Sequence, residues 1–113
     1  INEHPRSSEA NVAMARLRLR QEKAEEALNA ARRAREINPR DPVAVETLGR
    51  VQQATGDRAG ATLSFTTLVN MRPRYVPGLL LLANAQRTDG ELRSAVETAR
   101  RALGVSPTNP DVM

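Results

Sequence analysis

A chain of 113 residues with 17 basic and 13 acidic side chains, one Phe, one Tyr and no Trp favours helices over an aromatic core. The absence of Cys excludes disulfides, thiolate metal sites and Cys nucleophiles from this stretch. No run approaches the ~18 consecutive apolar residues of a membrane-spanning helix, and the opening INEHPRSSEA lacks the apolar run of a signal peptide.

Proline punctuates the chain at one interval: Pro5, Pro39, Pro73 and Pro107 stand 34 residues apart. That period divides the chain into blocks 8–41, 42–75 and 76–109. Segment 1–7 reads as the tail of a preceding block, and 110–113 as the start of a following one or a tail. In the first block a helix carrying Met14 and Ala15 is expected, then a turn at Gln21-Glu22-Lys23, then a helix with Ala27, Ala31 and Ala34. That turn lacks glycine and is expected to be less favourable than its counterparts. The second block repeats the plan with Leu48-Gly49, a turn at Gly56-Asp57, and Ala61, Phe65 and Leu68. In the third, Leu79, Leu82, Ala83 and Gln86 form one helical stripe. Gly90-Glu91 makes the turn, and Leu92, Ala95, Val96, Ala99 and Leu103 form the second stripe.

Each block therefore reads as helix, tight turn, helix and a proline-bearing loop. Proline stops the second helix because it lacks an N–H and pushes the residue before it out of helical geometry. Ala15, Gly49 and Ala83 on the first helices, with Ala27, Ala61 and Ala95 on the second, allow close backbone approach. A larger side chain at such a position costs roughly 1–3 kcal/mol in overpacking. Asp57 and Glu91 sit where a negative charge favours the next helix's N-terminus. Phe65 and Tyr75 are expected to serve packing.

With those columns in place, LGRVQQATGDRAGATLSFTTLVNMRP resembles the tetratricopeptide repeat at Leu48, Gly49, Gly56, Ala61, Phe65 and Pro73. The resemblance spans residues 8–109 as three tandem repeats. It implies an all-α fold of helix–turn–helix repeats stacked as a right-handed α-solenoid. The family's frequent Trp column holds Asn11, Val45 and Leu79, and its Tyr column holds Arg18, Gln52 and Gln86, which thins the expected core. The resemblance further implies a concave groove lined by the first helices, and so a non-catalytic scaffold that binds a peptide or a protein. Groove residues carried over are Val12, Arg16, Leu19 and Arg20; Glu46, Thr47 and Arg50; and Leu80, Leu81, Asn84 and Arg87. Their basic and aliphatic character suits a partner with acidic and apolar side chains. The family's carboxylate clamp falls on Val12, Arg16, Thr47, Pro77 and Leu81. Only Arg16 is basic there, which argues against an Hsp70 or Hsp90 co-chaperone role.

Other function classes draw less from the sequence. Nucleic-acid binding by a basic helical repeat is the alternative, yet the net charge is only +4 and the stacking aromatics of single-strand binders are missing. The densest basic run, Arg32-Arg33-Ala34-Arg35, falls on a second helix, away from the groove. No nucleophile, phosphate loop or carboxylate pair marks an enzyme, and no cofactor is implied. The final stripe has nothing behind it, so self-association through the last helix is expected of a piece cut from a longer array. With 16 Arg against 1 Lys and many Ala, the chain looks bacterial. GLLLLANAQRTDGELRSAV is similar to repeat arrays of bacterial envelope assembly and export systems.

Overall fold

The computed structural model describes residues 7–105, which form six helices. They are α1 (Ser8–Arg20), α2 (Ala24–Ile37), α3 (Pro42–Ala54), α4 (Arg58–Met71), α5 (Val76–Thr88) and α6 (Leu92–Val105). His4, Pro5, Pro107 and the segment 110–113 lie outside the described residues. Each helix packs on the next in the chain, and α1 also packs directly on α3. The result is three helix pairs stacked as an all-α solenoid.

Local chemistry sets the helix starts. Ser7 Oγ accepts the Ala10 N–H at 2.9 Å, Asp41 Oδ1 accepts that of Val43 at 3.0 Å, and Asp57 Oδ1 accepts that of Gly60 at 2.9 Å. Pro42 occupies the first turn of α3, where no N–H is needed. α2 begins at Lys23 with no side-chain cap.

Inside each pair the helices meet over small residues. Phe65 is fully buried against Gly49, and a Cβ at Gly49 would lie 2.5 Å from the Phe65 ring. The same columns hold Ala15 with Ala31 in the first pair and Ala83 with Ala99 in the third. The former Trp and Tyr columns are well used. Asn11, Val45 and Leu79 are fully buried. Gln52 accepts a hydrogen bond from Ser64 Oγ at 2.6 Å, and Gln86 one from Thr98 Oγ1 at 2.8 Å. These buried hydroxyls pin the second helix to the first in two of the three pairs, a polar substitute for the expected aromatic.

The three intra-pair turns share a backbone conformation. Gly56 has φ of 91° and Gly90 of 84°, and the equivalent residue of the first turn, Glu22, is held at 63°. A side chain in that left-handed region costs about 1 kcal/mol. Replacing Glu22 with Gly should therefore raise stability by up to about 1 kcal/mol, while Gly56→Ala should lower it by about as much. A Cβ at Gly56 meets no atom within 4 Å, so its cost is conformational alone. Urea unfolding of the two variants checks both signs.

Candidate partner-binding cleft

The N-terminal ends of the first helices converge with the α4–α5 loop. The first turns of α3 put Val43, Glu46 and Arg50 on one face through their i, i+3, i+7 spacing. The loop is tied back to α4, where the Arg72 N–H donates to the Leu68 carbonyl at 2.9 Å. It carries Tyr75 over α3, and the phenol donates to Glu46 Oε1 at 2.8 Å. Arg50 Nε donates to Glu46 Oε2 at 2.9 Å. One carboxylate is thus held by two donors, one on its own helix and one on the α4–α5 loop.

Around this contact lies a cleft of about 700 Å³ lined by Asp41, Pro42, Val43, Glu46, Met71, Arg72, Pro73, Arg74 and Tyr75. It continues past Asp41 and Val43 into a second cleft of about 310 Å³, formed with Glu9, Val12, Ala13 and Arg16 of α1. The Asp41 carboxylate is engaged as the α3 cap and accepts from Ser8 Oγ at 3.1 Å. By contrast, Arg16, Arg72 and Arg74 enter none of the ion pairs among the described residues. The strip therefore presents free guanidinium charge beside Val43, Met71 and two prolines, with Asp41 and Glu46 hydrogen-bonded and Glu9 in no ion pair among the described residues.

The groove residues inferred from sequence are distributed unevenly over this surface. Arg16 and Glu46 border the joined clefts, and Arg50 reaches in only through Glu46. Val12 is 4% exposed and packs with Ala34 and Ala44, so only its edge meets the cleft. Thr47 is buried at 2% and its hydroxyl donates to the Val43 carbonyl at 2.7 Å, which turns it into the helix. Thr47 thus lines neither cleft, because the first helix it belongs to is squeezed between neighbours, while Val12 contributes only that edge to the second cleft. Leu19 packs beside Ala15 and Leu48, and Leu80 and Leu81 against the cluster around Phe65. Arg20 is exposed at the end of α1. Asn84 and Arg87 bond each other at 2.7 Å and border a different cleft, at the α5–α6 end.

Sequence reasoning missed the loop. Met71, Arg72, Arg74 and Tyr75 line the larger cleft, and Tyr75, 37% exposed, is no core residue. The signal was a solitary Tyr closing the second repeat, preceded by two Arg that flank the repeating proline. Phe65 does pack, as expected. On the opposite helices, Arg33 donates to Asn11 Oδ1 at 3.3 Å, which diverts one member of the basic run from any phosphate.

Six helices in three pairs, with close small-residue contacts and glycine turns, define the tetratricopeptide-repeat fold. Solved structures agree. The first TPR of Spaghetti (RPAP3), bound to the HSP90 peptide SRMEEVD, is similar with a TM-score of 0.81 and 17% identity. That match covers 93% of this chain and 85% of the other. Two structures of MamA give TM-scores of 0.83 and 0.81 at 21% identity, covering 89% of this chain in each case. The chain spans 59% and 55% of those MamA chains. No protein-family model matches the sequence, and no curated protein does.

The Tyr75 phenol titrates above its ordinary value of 10.0 because burial disfavours the phenolate; the hydrogen bond to Glu46 and its negative charge add to this, and Arg50 opposes it. Since the folded value is raised, the stability this contact provides is present below pH 10 and lost as pH rises through the raised value. The chain has one Tyr and no Trp, so absorbance of the tyrosinate reports a single site. The midpoint should lie above 10.0 and move down in Glu46→Ala; an ordinary midpoint would mean that the Tyr75–Glu46 contact does not form in solution.

Proposed function

We propose that this chain is a non-catalytic protein–protein interaction scaffold that holds an extended segment of a partner carrying acidic and apolar side chains. The observation behind this reading is the continuous cleft across α1, α3 and the α4–α5 loop. Arg16, Arg72 and Arg74 carry uncommitted charge there, Asp41 and Glu46 are occupied, and the one other carboxylate, Glu9, lies at the α1 end beside Arg16 and away from Arg72 and Arg74. A guanidinium offers a planar fork to a carboxylate, and the neighbouring Val43 and Met71 offer apolar contact. The RPAP3 domain, a neighbour in fold, is seen with an acidic peptide, which supports the class of partner. The mode of capture differs from a carboxylate clamp, since Val12, Thr47, Pro77 and Leu81 supply no basic group. Residues 8–41, 42–75 and 76–109 serve as the three repeats of this scaffold. The Arg and Ala bias and the GLLLLANAQRTDGELRSAV stretch support a place in a larger bacterial assembly or export system.

Fluorescence anisotropy with a labelled peptide of alternating Glu and Leu, and a Lys-for-Glu control, tests the reading. The acidic peptide should bind and the basic one should not, with affinity falling as salt screens the arginines. Arg72→Glu and Arg74→Glu should each weaken binding about tenfold, a loss of about 1.4 kcal/mol. Equal binding of both peptides, or indifference to these substitutions, would overturn the assignment.

A further inference from the structure

The two junctions between helix pairs are built from the same columns and differ in what fills them. At the first, Val12 of α1, Ala34 of α2 and Ala44 of α3 form one buried cluster. One repeat later those columns hold Glu46, Leu68 and Gly78. Leu68 and Gly78 still meet, since a Cβ at Gly78 would lie 3.2 Å from the Leu68 side chain. Glu46 cannot take the part of Val12, because a carboxylate in an apolar contact without partners is costly. It turns instead to the Tyr75 phenol and to Arg50.

The helices follow the side chains. α1 packs directly on α3, whereas α5 reaches the second pair through α4 and makes no comparable contact with α3 among the described residues. Thr47 on α3 is 2% exposed, while its counterpart on α5, Leu81, is only partly buried. Tyr75 fills the difference. Its ring lies against Gly78, where an added Cβ would sit 3.0 Å from it, and its hydroxyl reaches Glu46 on α3. Asp41, in the same column, caps α3, but Tyr75 gives α5 no side-chain cap. The first junction is thus closed by apolar contact from two helices, and the second by the α4–α5 contact and the exposed Tyr75–Glu46 bond.

We propose that the second junction is a hinge and that the Tyr75–Glu46 bond is its latch. With the bond made, the α5–α6 pair is held at one angle to the other two pairs; with it broken, that pair swings about the α4–α5 contact. A few residues at element ends absorb such a motion, here those between Met71 and Val76. Because Glu46 and Tyr75 stand on opposite walls of the larger cleft, the latch also sets the width of that cleft. The smaller cleft lies at the first junction and keeps its shape. The proposal rests on how the junctions pack, and it stands apart from the peptide-binding reading.

Distances between spin labels, measured by double electron–electron resonance, test it in a chain that has no Cys of its own. Arg20, Ala54 and Thr88 are exposed, share one column of the three first helices and line none of the clefts. Labels on Arg20→Cys with Ala54→Cys, and on Ala54→Cys with Thr88→Cys, therefore read the two junctions alike. Tyr75→Phe removes the hydroxyl and keeps the ring against Gly78. It should broaden the 54–88 distribution and leave the 20–54 distribution unchanged. Ser8→Ala, which removes the Ser8–Asp41 bond of the first junction, should leave the 20–54 distribution narrow, because the cluster around Val12 holds it. A 54–88 distribution indifferent to Tyr75→Phe overturns the proposal. So does one that broadens together with 20–54, or a first junction that Ser8→Ala loosens as much as Tyr75→Phe loosens the second. Circular dichroism confirms that the labelled variants keep their helix content.

Discussion

The fold rests on how closely the two helices of each pair approach. A chain with one Phe and no Trp cannot fill a wide interior, so its helices must draw together until Ala and Gly suffice. The columns 15/49/83 and 31/65/99 show the volume being traded across the contact. Where the second helix carries Phe65, the first carries Gly49; where it carries Ala31 or Ala99, the first carries Ala15 or Ala83. The ring and the missing Cβ compensate, so the middle pair keeps the same architecture with a thicker core. That core gathers Phe65, Leu68, Val45 and Leu79, and it touches both α5 and α6 through Leu82 and Ala102.

Stacking of the pairs follows from this spacing, and the cleft follows from the stacking. α3 is gripped from one side by α1 and α2, and α5 by α4. Gly78 permits the last of these contacts, for a Cβ there would sit 3.2 Å from Leu68. Ser8 bonds Asp41 across the first junction and Tyr75 bonds Glu46 across the second. Both bridges consume a carboxylate at the N-terminal end of a first helix. The outcome is asymmetric in hydrogen bonding: the Asp41 and Glu46 carboxylates have donors where the repeats join, and Arg16, Arg72 and Arg74 enter no ion pair among the described residues. The strip sets Arg16, Arg72 and Arg74 beside Glu9, Asp41 and Glu46, so its charge is patterned along the cleft rather than in excess.

The repeat period, the six helices and the turn positions were legible because they depend on local rules that recur. Proline after each second helix and Gly56 and Gly90 between helices leave their mark in any one block. Periodicity also identified the helix faces. It could not give depth along a face: Val12 and Arg16 share one stripe, yet one is buried against Ala34 and Ala44 while the other is exposed. The Gln52–Ser64 and Gln86–Thr98 pins were hidden because polar residues in a core column read as losses until their partners are seen. The Tyr75–Glu46 bond joins residues 29 apart, from the first helix of a repeat to its closing loop, and no local pattern announces it. Glu22 marks the opposite case. Its lack of glycine was visible, and the turn formed regardless, since the packed helices on either side impose the conformation.

Equivalent positions in a solenoid do not share equivalent environments, and this is where its surface chemistry originates. Stability in such an array is a sum of terms within repeats and between neighbours. The middle pair has neighbours on both sides, and the outer pairs have one each among the described residues. Ala31, Phe65 and Ala99 occupy one column, but only the first two are sealed by a following helix. The Ser8–Asp41 bond and a carboxylate with two donors give the junctions direction, whereas apolar contact alone would let the pairs slide. Because the cleft is assembled from α1, α3 and the α4–α5 loop, its shape exists only when both junctions are in register. The cleft is therefore a property of the stack, and a substitution buried at a junction reaches it without touching it.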